Sequence, residues 1–198
     1  MPIIEPIPME ALPARSREII EDGMAQGLYA TPLPLQVFAY RSALLESMHA
    51  KRVARAEPSL LGGRIHELLR IRSAQLGECQ PCMQSRKHDS IDDADVACLL
   101  DDQHLDLEPQ ERMAVRFLDL LSADHHALDA DFYRELAEVF TTAQIVELGT
   151  GCAEMMGLHR FLHTLDIFGT EPPAIPFAPD QIDASRDAAD VAGAPANR

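Results

Sequence analysis

The chain is short of positive charge. Its 17 Lys and Arg stand against 32 Asp and Glu, a formal net charge of -15, and a surface of that sign repels the phosphates of nucleic acid and of anionic membranes. Neither is an expected partner. Tryptophan is absent, there are three tyrosines, and no stretch alternates β-branched with polar residues, which argues against strands as the main element. No apolar run approaches the ~20 residues of a membrane span. The opening Met1-Pro2-Ile3-Ile4-Glu5-Pro6 lacks the basic-then-apolar layout of a secretory signal. A cytoplasmic location is the expectation. Four cysteines are too few for a disulfide scaffold and stay largely reduced in that compartment, so a close pair among them reads as catalytic, redox-sensing or metal-binding.

What the chain does have is helical periodicity almost throughout. With 198 residues and 46 % hydrophobic content it can bury one sizeable core, and the pattern predicts an all-α, single-domain bundle of about eight helices. Pro13 and Gly27 bracket a first helix striped by Ile19, Ile20 and Met24. A second runs from about Leu35 to Ala54, with Val37, Phe38, Tyr40, Leu44, Leu45 and Met48. A third starts after Gly62-Gly63 and ends at Gly77. A cysteine helix and a short helix near Asp92 to Leu100 follow. Pro109 opens the next, Asp129 caps a segment through Phe140, and Thr141-x-x-Gln144 has the reciprocal layout of a capping box before a long helix to about Leu165. Residues 1–10 read as an extension, 11–170 as the helical domain and 171–198, rich in Pro, Ala and Asp, as a tail.

The chemistry concentrates in Gly77-Glu78-Cys79-Gln80-Pro81-Cys82. Two thiols three residues apart can close a small disulfide and reopen it; the bland alternatives are inert helix cysteines or half of a zinc site. In the first turn of a helix, unpaired N–H groups favour a thiolate, whereas the charge of Glu78 opposes ionisation of Cys79. At about 100° per residue, Cys79, Cys82 and Arg86 share a face, so Arg86 is expected to stabilise the thiolate, while His88 points away. On the preceding helix Glu67 borders the apolar arc with Ile71 and Ala74. Partial burial would raise its pKa and suit it to proton transfer; the plain alternative is an ion pair with Arg64 or Arg70. His159 and His163, at i and i+4, have a metal-binding spacing without an identifiable third ligand and read as packing or interface residues. Cys98 and Cys152, isolated between apolar neighbours, read as small buried hydrophobes, and the pair Met155-Met156 as core or interface. No metal and no organic cofactor is expected.

Glu67 followed twelve residues later by Cys79-x-x-Cys82 resembles the alkylhydroperoxidase-like branch of the carboxymuconolactone decarboxylase superfamily. Leu12-Pro13, Ala123-Asp124-His125-His126, Phe140 through Glu147-Leu148, and Gly157-Leu158-His159-Arg160 extend the resemblance over roughly residues 10 to 170. It implies an all-α fold, a homo-oligomer (trimer or hexamer), and reduction of organic hydroperoxides with electrons from a dithiol reductant. It also implies roles: Glu67 as relay acid, Cys82 as attacking thiol, Cys79 as resolving thiol. The family's motif has histidines where this chain has Pro81 and Arg86, so the expectation is that no histidine relay remains, and that either Glu67 works with water or the peroxidase activity is weak. Helix geometry alone favours Cys79 as the more acidic thiol. The resemblance places attack on Cys82, and that assignment is preferred because the thiolate must reach substrate. The superfamily's decarboxylase chemistry, which needs no paired cysteines, and a redox-responsive oligomer are the alternatives.

Overall fold

Turn and cap chemistry sets most of the helix boundaries. The computed structural model describes residues 2–54, 59–100 and 107–169, and the expected tail lies outside them. Among the described residues the chain is all-α, with nine α-helices, three short 3-10 turns and no strand. Among the described residues, packing groups those up to Ser59 with those from Leu162 onward as one compact unit, and those from Leu60 to Phe161 as another.

In the first unit, α1 (Ala14–Ala25) follows Pro13 and buries Ser16, Ile19, Ile20 and Gly23, a stripe at i, i+3, i+4 and i+7. Its exit is a Schellman motif: the Leu28 N–H donates to the Gly23 carbonyl at 2.9 Å and the Gly27 N–H to that of Met24 at 3.1 Å. Gly27 takes the required left-handed conformation, φ 67°. The helix expected over 35–54 arrives in pieces: α2 (Leu33–Phe38), a 3-10 turn Ala39–Arg41, and α3 (Ser42–Ala54). The reason is the run Leu35 to Ala39, buried at five consecutive positions, which one face of an α-helix cannot accommodate; the tighter turn re-aims the chain. Leu45 is fully buried, but Tyr40 and Leu44, expected in the stripe, are 59 % and 50 % exposed. The amino-terminal segment is held within this unit. The Ile3 N–H donates to the Leu165 carbonyl, and the Arg17 guanidinium donates to the carbonyls of Met9, Glu10 and Leu12.

The second unit contains α4 (Gly63–Leu76), α5 (Gln80–Gln84), α6 (Asp93–Cys98), α7 (Pro109–Ala123), α8 (Ala130–Val139) and α9 (Thr142–Thr164) through Phe161. The caps follow the sequence signals. Asp129 accepts from the N–H groups of Asp131 and Phe132, and Thr141 with Gln144 forms the reciprocal box. Helix α4 is buried on more than one side. Ile65 and Leu69 join Phe117, Leu118, Leu136, Leu148 and Cys152 in one apolar cluster. Leu68 and Ile71 join Ile91, Leu99, Leu107 and Val115 in a second. Between these faces runs a third, made of Glu67, Arg70, Ser73, Ala74 and Gly77, which recur at three- and four-residue spacing. This polar stripe inside a buried helix positions the candidate site.

Candidate active site

The cysteine turn is built by the way α4 stops. The Cys79 N–H donates to the Ala74 carbonyl at 3.0 Å and the Glu78 N–H to that of Gln75 at 3.2 Å, a second Schellman motif. Here the left-handed position is Glu78, at φ 53°, where glycine is the unstrained choice. The reversal delivers Cys79 to the cap of α5. Its carbonyl accepts from the Met83 N–H at 3.0 Å. Cys79 is 1 % exposed, whereas Cys82 keeps part of its surface open to solvent.

The two sulfurs meet, and they share one proton unequally. Cys79 donates a hydrogen bond to the Cys82 sulfur; that bond, burial and the neighbouring thiolate push the Cys79 thiol well above its ordinary range. Cys82 moves the other way, down to about 5, chiefly through the hydrogen bond from Cys79. Burial opposes this, while a hydrogen bond and charge from His159 and the charge of Arg70 support it. Both shifts favour ionisation at Cys82 over Cys79. The first-turn argument that favours Cys79 fails because Cys79 commits its proton to Cys82 and is sealed from water, whereas Cys82 receives the donors.

The cation facing the thiols is Arg70. Its Nε and one terminal nitrogen donate to the two Glu67 oxygens, each at 2.7 Å, and its fork also donates to the carbonyls of Cys82 and Ser85, both at 2.7 Å. Glu67 accepts a third bond, 2.6 Å, from the Lys87 N–H. Glu67 is 1 % exposed and Arg70 8 %. One buried ion pair thus clamps residues 82–87 onto α4, a use that suits the rigid guanidinium fork. Burial alone would raise the Glu67 carboxyl, but the Arg70 hydrogen bonds and charge and the Lys87 N–H outweigh it, so its pKa lies below the ordinary value. This reverses the expectation of a raised, proton-relaying acid: the carboxylate is ionised and both its oxygens are taken. Arg64, the other partner considered for it, instead pairs with Asp95 and Glu111.

Arg86 does not face the sulfurs. Helix α5 ends at Gln84, so the 100° rotation does not extend to residue 86, and its guanidinium turns to the carbonyls of Met83 and Ser85 and to Asp93. His88 bonds Ser90.

The histidine at the thiols comes from α9. His159, 7 % exposed, places Nδ1 2.9 Å from the Ser73 hydroxyl, and its hydrogen-bonding capacity and charge lower the Cys82 thiol; with Nδ1 engaged, Nε2 is the nitrogen left to face that thiol. Gly77 permits this approach: a Cβ there would lie 2.8 Å from His159 Cβ and 3.2 Å from the Arg160 nitrogen. Local periodicity carried no sign of a contact that spans 86 residues. The available hints were Glu67, Arg70 and Ser73 recurring every third residue of an apolar helix, and His159 itself in Gly157-Leu158-His159-Arg160.

His163 is exposed, and among the described residues no three His, Cys, Asp or Glu side chains gather to hold a metal ion. Cys152 lies in the apolar cluster, where burial pushes its thiol up to about 12; Cys98 packs against the second cluster. Met155 and Met156 pack on the first. No described helix is long and apolar enough to cross a membrane. Compared with protein families, with curated sequences and with solved structures, the chain matches none.

Proposed function

We propose that this chain is a thiol-dependent peroxidase that reduces organic hydroperoxides through a Cys79–Cys82 dithiol–disulfide cycle. We place it with the alkylhydroperoxidase-like proteins it resembles. The observation that carries this reading is the asymmetry of the pair: Cys82, partly open to solvent, is held as a thiolate at about 5, and the buried Cys79 keeps its proton on that sulfur. A peroxidase needs a nucleophile already ionised at neutral pH and a second thiol waiting within reach.

The cycle balances. The Cys82 thiolate attacks the terminal oxygen of ROOH, the O–O bond breaks, and RO⁻ leaves and takes up a proton as alcohol, so Cys82 becomes a sulfenic acid. Cys79 sulfur then displaces the sulfenic hydroxyl, which departs with the Cys79 proton as water, and the disulfide forms. A dithiol reductant returns two electrons and two protons. Assembly as a homo-oligomer, trimer or hexamer, belongs to the same proposal.

The test is consumption of cumene hydroperoxide with dithiothreitol. The wild type turns over. Cys82→Ser is inactive, and Cys79→Ser reacts once, leaving a sulfenic acid that dimedone traps. No consumption by wild type above the protein-free control refutes the reading; disulfide formation without turnover would leave a redox-responsive protein instead.

A further inference from the structure

The peroxidase cycle leaves open where the proton for the departing alkoxide comes from. An alkoxide is a far stronger base than a thiolate, so O–O cleavage is slow unless a proton meets it. The titratable groups around the Cys82 sulfur are Cys79, Arg70 and His159, with Glu67 behind Arg70. Arg70 stays protonated, and four of its five N–H donors are spent on Glu67 and two carbonyls. Glu67 is ionised and its oxygens are filled by Arg70 and the Lys87 N–H. The Cys79 proton is consumed in the next step, as water.

Resting on the peroxidase reading, we propose that His159, held by Ser73, is a catalytic proton carrier: it takes the thiol proton of Cys82 and gives it to the alkoxide that Cys82 expels. The atoms balance. Cys82–SH and imidazole become thiolate and imidazolium; attack on ROOH yields Cys82–SOH and RO⁻; imidazolium gives RO⁻ its proton and returns neutral. The ring is close enough to act on the thiol that attacks, is 7 % exposed and is fixed at Nδ1 by Ser73 Oγ at 2.9 Å. A hydroxyl suits that place because it accepts from Nδ1–H in both protonation states, which leaves Nε2 bare in the neutral ring to take the thiol proton and protonated in the imidazolium to give it up. Ser73 is thus a positioning residue. This device differs from the one the sequence resemblance implies, since the histidine arrives on α9 rather than beside the cysteines.

The proposal is tested by the leaving group. tert-Butyl hydroperoxide expels a strongly basic alkoxide; peracetic acid expels acetate, which needs no proton. Second-order rates of Cys82 oxidation are measured in single turnover for both oxidants and divided by the iodoacetamide alkylation rate at the same pH, which reads the same thiolate and expels iodide. His159→Gln, which keeps a hydrogen-bond donor for the sulfur but carries no exchangeable charge, is expected to lose about 100-fold on tert-butyl hydroperoxide and less than about 3-fold on peracetic acid. Ser73→Ala is expected to lose about 10-fold on the first oxidant alone, and Ser73→Thr to restore it. Equal losses on the two oxidants, or no loss on either, overturn the proton-carrier role. If His159→Gln does not fold, the wild type still decides: a normalised rate that falls steeply with increasing basicity of the leaving alcohol is that of a site without an acid. Failure of the wild type to react with any hydroperoxide refutes the peroxidase reading itself, a result distinct from equal losses in a wild type that reacts.

Discussion

Glu67→Gln separates a clamp from a relay. In the clamp, three donors converge on two carboxylate oxygens: Arg70 Nε, an Arg70 terminal nitrogen and the Lys87 N–H. A glutamine offers one acceptor oxygen and turns its amide nitrogen on a donor, so at least one buried N–H is left unsatisfied, costing about 1–3 kcal/mol. It also leaves the Arg70 charge, 8 % exposed, without its counter-ion, and breaking a buried pair costs about 3–5 kcal/mol with such losses included. In a chain of this length that corresponds to a fall in Tm on the order of 10 °C. The electrostatic effect on the thiols has the opposite sign from a loss of function. With its anion gone, Arg70 acts more strongly on Cys82, and the Cys82 titration moves below about 5. Urea unfolding and iodoacetamide rates across pH read the two effects separately. The double variant Glu67→Gln with Arg70→Gln is expected to cost less than the sum of the singles, because it leaves no unpaired buried charge. Unchanged stability with lost turnover would refute the clamp and restore Glu67 as a proton relay; additive costs would show that the pair is not coupled.

Three further outcomes follow from the geometry. The folded Cys82 value, about 5 against an ordinary 9.0, is depressed, so its contribution to stability is complete above the unfolded thiol value and is lost as pH falls toward 5. Reduced wild type should gain stability from pH 5.5 to 8, by at most about 1.4 kcal/mol per pH unit, and Cys82→Ser should lack that slope in urea titrations. Glu78→Gly relieves the left-handed strain of about 1–2 kcal/mol and gives back part of it as unfolded-state entropy, about 0.5–1 kcal/mol; a net gain of about 0.5–1 kcal/mol in unfolding is expected, and a loss would contradict the cap assignment. Gly77→Ala forces a methyl against His159 Cβ and the Arg160 backbone, so a cost of about 1–3 kcal/mol should come with slower iodoacetamide alkylation near pH 6 as the histidine is pushed from Cys82; unaltered alkylation would place the ring elsewhere.

What the sequence determined by itself is what repeats or closes within a few residues. Helical periodicity made the chain legible as all-α, Pro13, Gly27, Asp129 and Thr141-x-x-Gln144 marked helix ends, and three-residue spacing brought Cys79 and Cys82 into one turn. Each rests on 3.6-residue geometry or on a cap spanning three or four positions, so no distant residue has to be known. Extrapolating the same geometry failed where a short-range rule was asked to run too far. Arg86 leaves the cysteine face because α5 stops after five residues, and the helix expected over 35–54 breaks where five buried residues stand in a row. Tertiary structure alone decided which thiol ionises and what surrounds it. Arg70 chooses Glu67 and two carbonyls over solvent only because α4 is buried between two apolar clusters, and His159 meets Ser73 across 86 residues because Gly77 lets two helices approach. The acidity of Cys82 depends on the donors that the completed fold places around one sulfur, and the burial of Cys79 removes the water that would have made it the more acidic thiol.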